Sequence, residues 1–332
     1  MLFLPACGSE EEPIPATNHL LKDLTVLRFE QDLFSADTTQ MDLEMDRLTA
    51  QYPDFTDIYF RYAIPLQRGD FSPEEQANIL RAFLAYPLSQ ELHQRSKVLY
   101  EDFRRCRADL ETAMSLFRYY VPNAEVPDTV ITFISQFEFA GFLFGQNKLG
   151  LGLDMFLGPD FDYFSVGPTE PIFSNYLTRT YTPDHLTSKA MRLLIEDLIS
   201  EPNSGRLIDY LVANGKKLYL LDKVLPRTPD SIKLEMTAEQ IDWLDGNQYP
   251  VYVFLQDQDL LYSTDIKKFR KYIDPSPNSP GMPEKAPGRS ANFLGWKIVE
   301  AWMKKHPTAS ISDLLAISDG QRILAESRYK PK

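Results

Sequence analysis

The sequence predicts an α+β fold, mostly helical, with a small central antiparallel or mixed sheet packed by helices. Two patterns predict it. Both ends of the chain carry apolar residues at three- and four-residue spacing, the period of a helix with one buried face. Between them stand Val130-Ile131-Thr132-Phe133-Ile134 and the glycine-punctuated run from Leu149 to Leu157, short and rich in apolar side chains as strands are. The expected organisation is one domain over residues 20–332: a helical part over about 39–121, a sheet over about 128–175 and a second helical part over about 183–328.

Taken in order, Leu20 to Leu33 is short and mixed, and a helix is expected from Thr39 to Ala50, stopped by Tyr52-Pro53. Ser72-Pro73-Glu74-Glu75 is a capping box with proline at the first helical position, so a helix begins there. Leu92, Leu99, Phe103, Cys106, Leu110, Ala113 and Phe117 then predict one long helix ending at Val121-Pro122, with Arg95, Lys97, Glu101, Arg104 and Arg105 on its solvated face. Val130 to Ile134, Phe142 to Gly145 and Leu149 to Leu157 read as strands, the last two joined by a turn at Gly145-Gln146-Asn147. Thr182-Pro183-Asp184 starts another helix, and a further one follows over Arg206 to Leu221. Thr237-Ala238-Glu239-Gln240 is a second capping box, leading helical segments to about Leu261. Asp274 to Gly288 is a proline- and glycine-rich loop, and Asn292 to Lys305 and Ser312 to Ser327 close the chain as helices.

Composition narrows the function. The chain has 332 residues, 43% hydrophobic and 25% charged, so it can bury a core without disulfides or structural metals. Its net charge of −12 repels phosphate backbones, and no nucleic-acid partner is expected. No run of about 18 apolar residues reads as a membrane span.

Cys106 falls on the apolar side of its helix and reads as a packing residue. Cys7 is different. It follows Leu4-Pro5-Ala6 and precedes Gly8-Ser9, the acidic run Glu10 to Glu12 and a proline-containing stretch, the pattern of a lipoprotein box whose thiol receives the lipid. Residues 1–6 are too short for a whole signal peptide, so either translation starts upstream or the pattern is accidental. With lipidation, residues 1–6 are a signal remnant and 7–19 a tether.

The chemistry-bearing motifs fail. None of the four histidines, His19, His93, His185 and His306, has a second histidine four residues on, as a zinc peptidase helix requires. His185 reads as a surface or capping residue. Gly215-Lys216 lacks the upstream glycine of a phosphate loop, Gly150-Leu151-Gly152 lacks the third glycine of a dinucleotide site, and Asp257-Gln258-Asp259 is no calcium loop. Two stretches remain. Asp154 is the single charge in Leu149 to Gly158, read as an edge strand with Asp154 turned to solvent or capping a turn, or else as the lining of a groove. In the second, Arg289 precedes a helix and is placed to bind an anion or pair with a carboxylate. Gly295 implies tight packing, and Trp296, on the face away from Phe293, lines a cleft or packs.

Several segments carry a resemblance: Arg28-Phe29-Glu30-Gln31-Asp32-Leu33-Phe34, Leu151 to Gly158, Gly215-Lys216-Lys217-Leu218-Tyr219, Leu261-Tyr262-Ser263, Pro287-Gly288-Arg289, Leu294 to Val299 and Ser327 to Pro331. With Cys7 near the start, the chain resembles the GldB family of gliding-motility lipoproteins over nearly its whole length. The resemblance implies a lipid-anchored protein of the cell envelope, lipidated at Cys7, required for gliding and linked to type nine secretion, with no defining enzymatic activity. It also implies that Glu10 to Glu12 influence which membrane leaflet holds the protein. More distantly, such chains resemble zinc proteases of gluzincin-like fold, whose HExxH helix falls here over Pro183 to Ile199 without a histidine pair. Asn214, before Gly215, is a poor third ligand there, so a zincin-like scaffold without metal or cofactor is expected. The resulting expectation is a non-enzymatic protein, bound to the membrane by its lipid and to gliding or secretion proteins through a cleft at Asp154, Arg289 and Trp296. The alternatives are an envelope hydrolase with non-standard residues and a ligand-binding surface lipoprotein.

Overall fold

The computed structural model describes residues 13–17, 20, 23–64, 66, 71–202 and 205–332. At its centre is a four-stranded mixed sheet in the order β1-β2-β4-β3, from Thr25–Arg28 (β1), Thr129–Phe133 (β2), Gly141–Phe144 (β3) and Lys148–Gly152 (β4). β1, β2 and β4 run parallel, and β3 pairs antiparallel with β4 through the expected turn. Both faces of the sheet are covered. Val130, Leu149 and Leu151 enter the larger core, whereas Ile131, Phe133 and Phe144 enter a second core on the opposite side. That explains why the middle strands read as unbroken apolar runs rather than alternating ones.

The second core is closed by α1 (Phe29–Phe34), α2 (Met41–Gln51), α3 (Pro53–Ile58) and α4 (Pro73–Ala85), with Phe29 edge to face on Phe55 and Tyr59 at 4.8 Å, Phe133 tilted or edge-on to the same two rings at 5.6 and 6.0 Å, and Phe55 stacked on Tyr59 at 5.5 Å. The capping box at Ser72 opens α4 as expected. The single helix expected from Leu92 to Phe117 is two: α5 (Pro87–Leu99) and α6 (Arg104–Tyr120). Between them Phe103 takes φ +47°, the Tyr100 carbonyl accepts from Arg28 Nη1 at 2.7 Å, and the Tyr100 hydroxyl donates to the Phe156 carbonyl at 2.6 Å. Phe103 is buried on the same apolar stripe, so side-chain periodicity passes through a backbone break.

The other difference lies beyond β4. Leu153–Phe156 is a 3₁₀ turn rather than a continuing strand, and short helices α7 (Tyr163–Val166) and α8 (Asn175–Thr178) follow where sheet was expected. A third, aromatic cluster of Phe137, Phe161, Tyr163, Phe173 and Tyr181 fills this region.

The larger core is built on α6, α9 (Pro183–Leu198), α10 (Leu207–Val224) and α15 (Ser290–Lys305). α10 and α15 cross at Gly215 and Gly295. A methyl built on Gly295 would lie 1.8 Å from the Leu211 carbonyl oxygen, and one on Gly215 would lie 2.2 Å from the Gly295 carbonyl carbon. Glycine is required at both places because backbone meets backbone. Around this pair lie α11 (Asp230–Leu234), α12 (Ala238–Gly246), α13 (Gln248–Asp257), α14 (Ile266–Phe269), α16 (Ile311–Ala316) and α17 (Gly320–Ser327). The closing segment expected as one helix is α16 and α17, separated at Ile317–Asp319.

Candidate functional site

Three helices bring a buried group of charges together. Lys189 and Arg192 are three residues apart on α9 and so share one face. Glu235 follows α11 and holds φ +53°, which turns it back toward that face. Arg289 precedes α15 with φ +58°, next to Gly288, where a methyl would strike the Ser276 carbonyl oxygen at 1.9 Å. Glu235 is the hub. Its carboxylate accepts from Lys189 Nζ at 3.1 Å and from Arg289 Nη1 at 2.9 Å. The last carbonyls of α11 are held by guanidinium groups as well: Arg192 donates to Lys233, Arg289 to Leu234 and Glu235, and Arg179 to Glu235.

The electrostatics are lopsided. Burial alone would raise the Glu235 pKa, yet Arg192, Lys189 and Arg289 outweigh it and hold the carboxyl well below its ordinary range. Burial pushes Arg192 down, and the nearby Arg289 charge adds to that. Among the described residues Arg192 has no carboxylate within ion-pair distance, and Arg192 Nε and Arg289 Nε are buried without a partner.

A cavity of about 300 Å³ adjoins this group. Arg192 and Glu196, one turn apart on α9, line it together with Asn214 and Lys217 of α10 and Arg289. Its apolar wall includes Leu218, Met236 and Phe293. A larger cleft of about 890 Å³ lies elsewhere, between α6, the start of α9 and the segment from the end of α10 into α11, Val224 to Ile232, with Ile14 and Thr17 from the N-terminal segment at its edge.

Of the three residues expected to form one cleft, Arg289 alone lines either cavity. Its expected pairing with a carboxylate is what the structure contains. Asp154 is neither on an edge strand nor turned to solvent, since β4 lies between β2 and β3 and Asp154 is 0% exposed in the turn after it; of the expected roles it has the other, capping the turn at 136–137. Asp154 Oδ2 accepts from the backbone N–H of Ser135 (3.0 Å) and Phe137 (2.8 Å), while Oδ1 has no partner. Trp296 is buried with its Nε1 unpartnered, and its ring meets that of Phe293 edge-on at 5.9 Å instead of facing away. Cys7, Glu10 to Glu12 and His19 lie outside the described residues. Cys106 is half-buried against the larger core, on the wall of the larger cleft.

His185 is buried rather than on the surface, its Nδ1 2.8 Å from the Thr182 hydroxyl at the start of α9. His93 stacks on Phe34 and His306 on Trp302. Among the described residues no three His, Cys, Asp or Glu side chains group as metal ligands would. Sequence reasoning missed Lys189, Arg192, Arg179 and Glu235. Local pattern gave no signal for them, because Lys189 and Arg192 share a face of α9 with His185 and Glu196 and read as its polar side.

The sequence model of the family described as gliding motility protein GldB matches residues 10–331, nearly the whole chain. The chain belongs to the GldB family. It is therefore a gliding motility-associated lipoprotein. No curated protein and no solved structure matches it. The GldB-like segments have identifiable structural work. In Arg28 to Phe34, Phe29 and Leu33 enter the second core while Arg28 and Glu30 pair at 2.7 Å. Gly152 of β4 lets the Phe139 carbonyl approach, Gly215 and Gly295 form the helix crossing, and Leu261 and Ser263 supply carbonyls that accept from Ile208 and Leu207 at the start of α10. Among the described residues no helix is long and apolar enough to cross a membrane.

Proposed function

We propose that this GldB-family chain is anchored through a lipid on Cys7 and serves gliding without catalysis of its own, by binding a protein of the gliding and type nine secretion apparatus. The observation that carries the reading is the lining of the smaller cavity. Zinc-dependent hydrolysis of the kind the distant resemblance implies needs two histidines one turn apart on a helix and a third ligand from another. On α9 the side chains one turn apart at the cavity are Arg192 and Glu196, and the neighbouring helix contributes Asn214. A guanidinium, a carboxylate and an amide suit polar recognition. They do not suit holding zinc.

The test is the spreading of a motile strain deficient in its own GldB, carrying this gene behind a lipoprotein signal sequence. Wild type is expected to restore spreading and Cys7→Ser to fail at equal protein levels. Stoichiometric zinc in the purified chain, removable with loss of a hydrolytic activity, would overturn the non-enzymatic reading. Restored spreading by Cys7→Ser would overturn the anchor.

A further inference from the structure

The group around Glu235 has more positive charge than its surroundings neutralise. Lys189, Arg192, Arg289 and Arg179 converge on one carboxylate and the last carbonyls of a five-residue helix. Glu196, the other acid that Arg192 feels, and Glu201 also line the cavity, and among the described residues neither is within ion-pair distance of a cation; with Glu235 and Asp274, four carboxylates face the six cations Lys189, Arg192, Arg289, Arg179, Lys217 and Arg270. Buried cations are ordinarily paired, because an uncompensated charge out of water is costly. Here two guanidinium N–H groups have no acceptor and both arginines border an open cavity. The start of α15, a 16-residue helix, adds the positive end of its dipole at Asn292 and Phe293 on the same wall. Arg270 also lines the cavity but is neutralised by Asp274 at 2.5 Å, so it adds no net charge.

We infer that this cavity is a binding site for a small organic oxyanion, a carboxylate or phosphate monoester on a short apolar body, with Arg192 and Arg289 taking the oxygens. The charge excess calls for the anion. The apolar wall of Leu218, Met236 and Phe293 calls for the body. At about 30 Å³ for each water-sized group, a volume of about 300 Å³ admits roughly ten non-hydrogen atoms. Lys217 at the lining adds a flexible third cation. The inference deepens the reading of this cavity as a recognition site. It is tested on the purified chain, so its failure leaves the motility role untouched and failure of the motility experiment leaves it standing.

Titration calorimetry of the full chain with hexanoate, hexyl phosphate, hexanol and inorganic phosphate decides it. The expected result is saturable one-to-one binding of hexanoate or hexyl phosphate, with hexanol at least tenfold weaker. Inorganic phosphate is expected to compete, binding more weakly for lack of the apolar body. Arg192→Gln is expected to weaken the bound anion roughly tenfold or more, as loss of a charge-assisted hydrogen bond does. Lys217→Met, away from the ion pairs, is expected to weaken it severalfold with the fold unchanged by circular dichroism. Equal affinity for hexanol and hexanoate would overturn the proposal, and so would no binding of any organic anion at millimolar concentration. Both outcomes are read on the wild-type chain. Hexanoate affinity unchanged in folded Arg192→Gln would also overturn it.

Discussion

Asp154 shows how a single side chain can be out of reach of water and still matter to the backbone. Its Oδ2 accepts from the N–H groups of Ser135 and Phe137, and the segment between holds Gln136 at φ +56° and Phe137 at φ +71°. Two successive left-handed residues with side chains are uncommon, so the carboxylate secures a conformation the chain would otherwise leave. Burial raises the Asp154 pKa to about 6, outweighing the backbone N–H groups that lower it. An acid whose folded pKa is raised contributes stability that is present below the unfolded value and lost as pH rises through the folded one. From the ordinary 3.8 to about 6, this group alone makes the fold weaker with rising pH. His185 acts oppositely. Burial lowers its pKa to about 4, so its contribution is present above about 6.5 and lost as pH falls through 4. The two windows overlap and partly cancel in the wild type, and only a difference between variants separates them. Asp154→Asn keeps an acceptor for both N–H groups and removes the titration. Urea unfolding should show wild type losing on the order of 2–3 kcal/mol relative to Asp154→Asn between pH 4 and pH 7. A difference independent of pH would mean that Asp154 is not a buried acid.

At the scale of elements, local signals were legible and long-range ones were not. The capping boxes at Ser72 and Thr237 and the proline starts at Pro73 and Pro183 lie within four residues of the helices they open, and each helix begins there. β1 was unread because Thr25–Arg28 is four residues at the sheet edge, running directly into α1, and its partner lies about a hundred residues on. The break between α5 and α6 was hidden because Phe103 keeps the apolar spacing while its backbone turns left-handed. The Glu235 group was unreadable for a similar reason: α9, α11 and α15 meet there only by packing, and the pattern around Glu235 is an ordinary helix end. Arg289 was legible because a cation after Pro-Gly and before a helix is locally unusual. Gly295 was legible because glycine inside a helix costs about 1 kcal/mol against alanine. Two alanine substitutions should therefore have opposite signs. Gly295→Ala gains helix propensity but drives a methyl into the Leu211 carbonyl, and should destabilise by about 1–3 kcal/mol. Gly246→Ala, at the exposed end of α12 with nothing within 4 Å of the added methyl, should stabilise by about 0.5–1 kcal/mol. Both are read as midpoint shifts in urea unfolding. Equal effects would show that the helix crossing yields.

At the scale of the molecule, Arg28 joins parts that are distant in sequence. It lies at the end of β1, and its Nε reaches Glu30 at 2.7 Å and the Thr132 hydroxyl of β2 at 3.1 Å. Its Nη1 holds the Tyr100 carbonyl between α5 and α6, and its guanidinium sits 5.4 Å from the centre of the Phe103 ring. Glu30 in turn accepts from Thr132 at 2.6 Å and is 1% exposed, so removing Arg28 takes the paired cation from a buried acid. One side chain therefore couples the sheet edge, the second core and the helix break on which the larger core depends. The physical consequence is asymmetric. Removing one partner of a buried pair strands the other charge, whereas removing both leaves mainly a packing defect. Arg28→Met should destabilise by about 3–5 kcal/mol, and Arg28→Met combined with Glu30→Gln should recover a substantial part of that loss. If the double variant is as unstable as the sum of the two single ones, the importance of Arg28 lies in its reach to Tyr100 and Phe103 and not in neutralising Glu30.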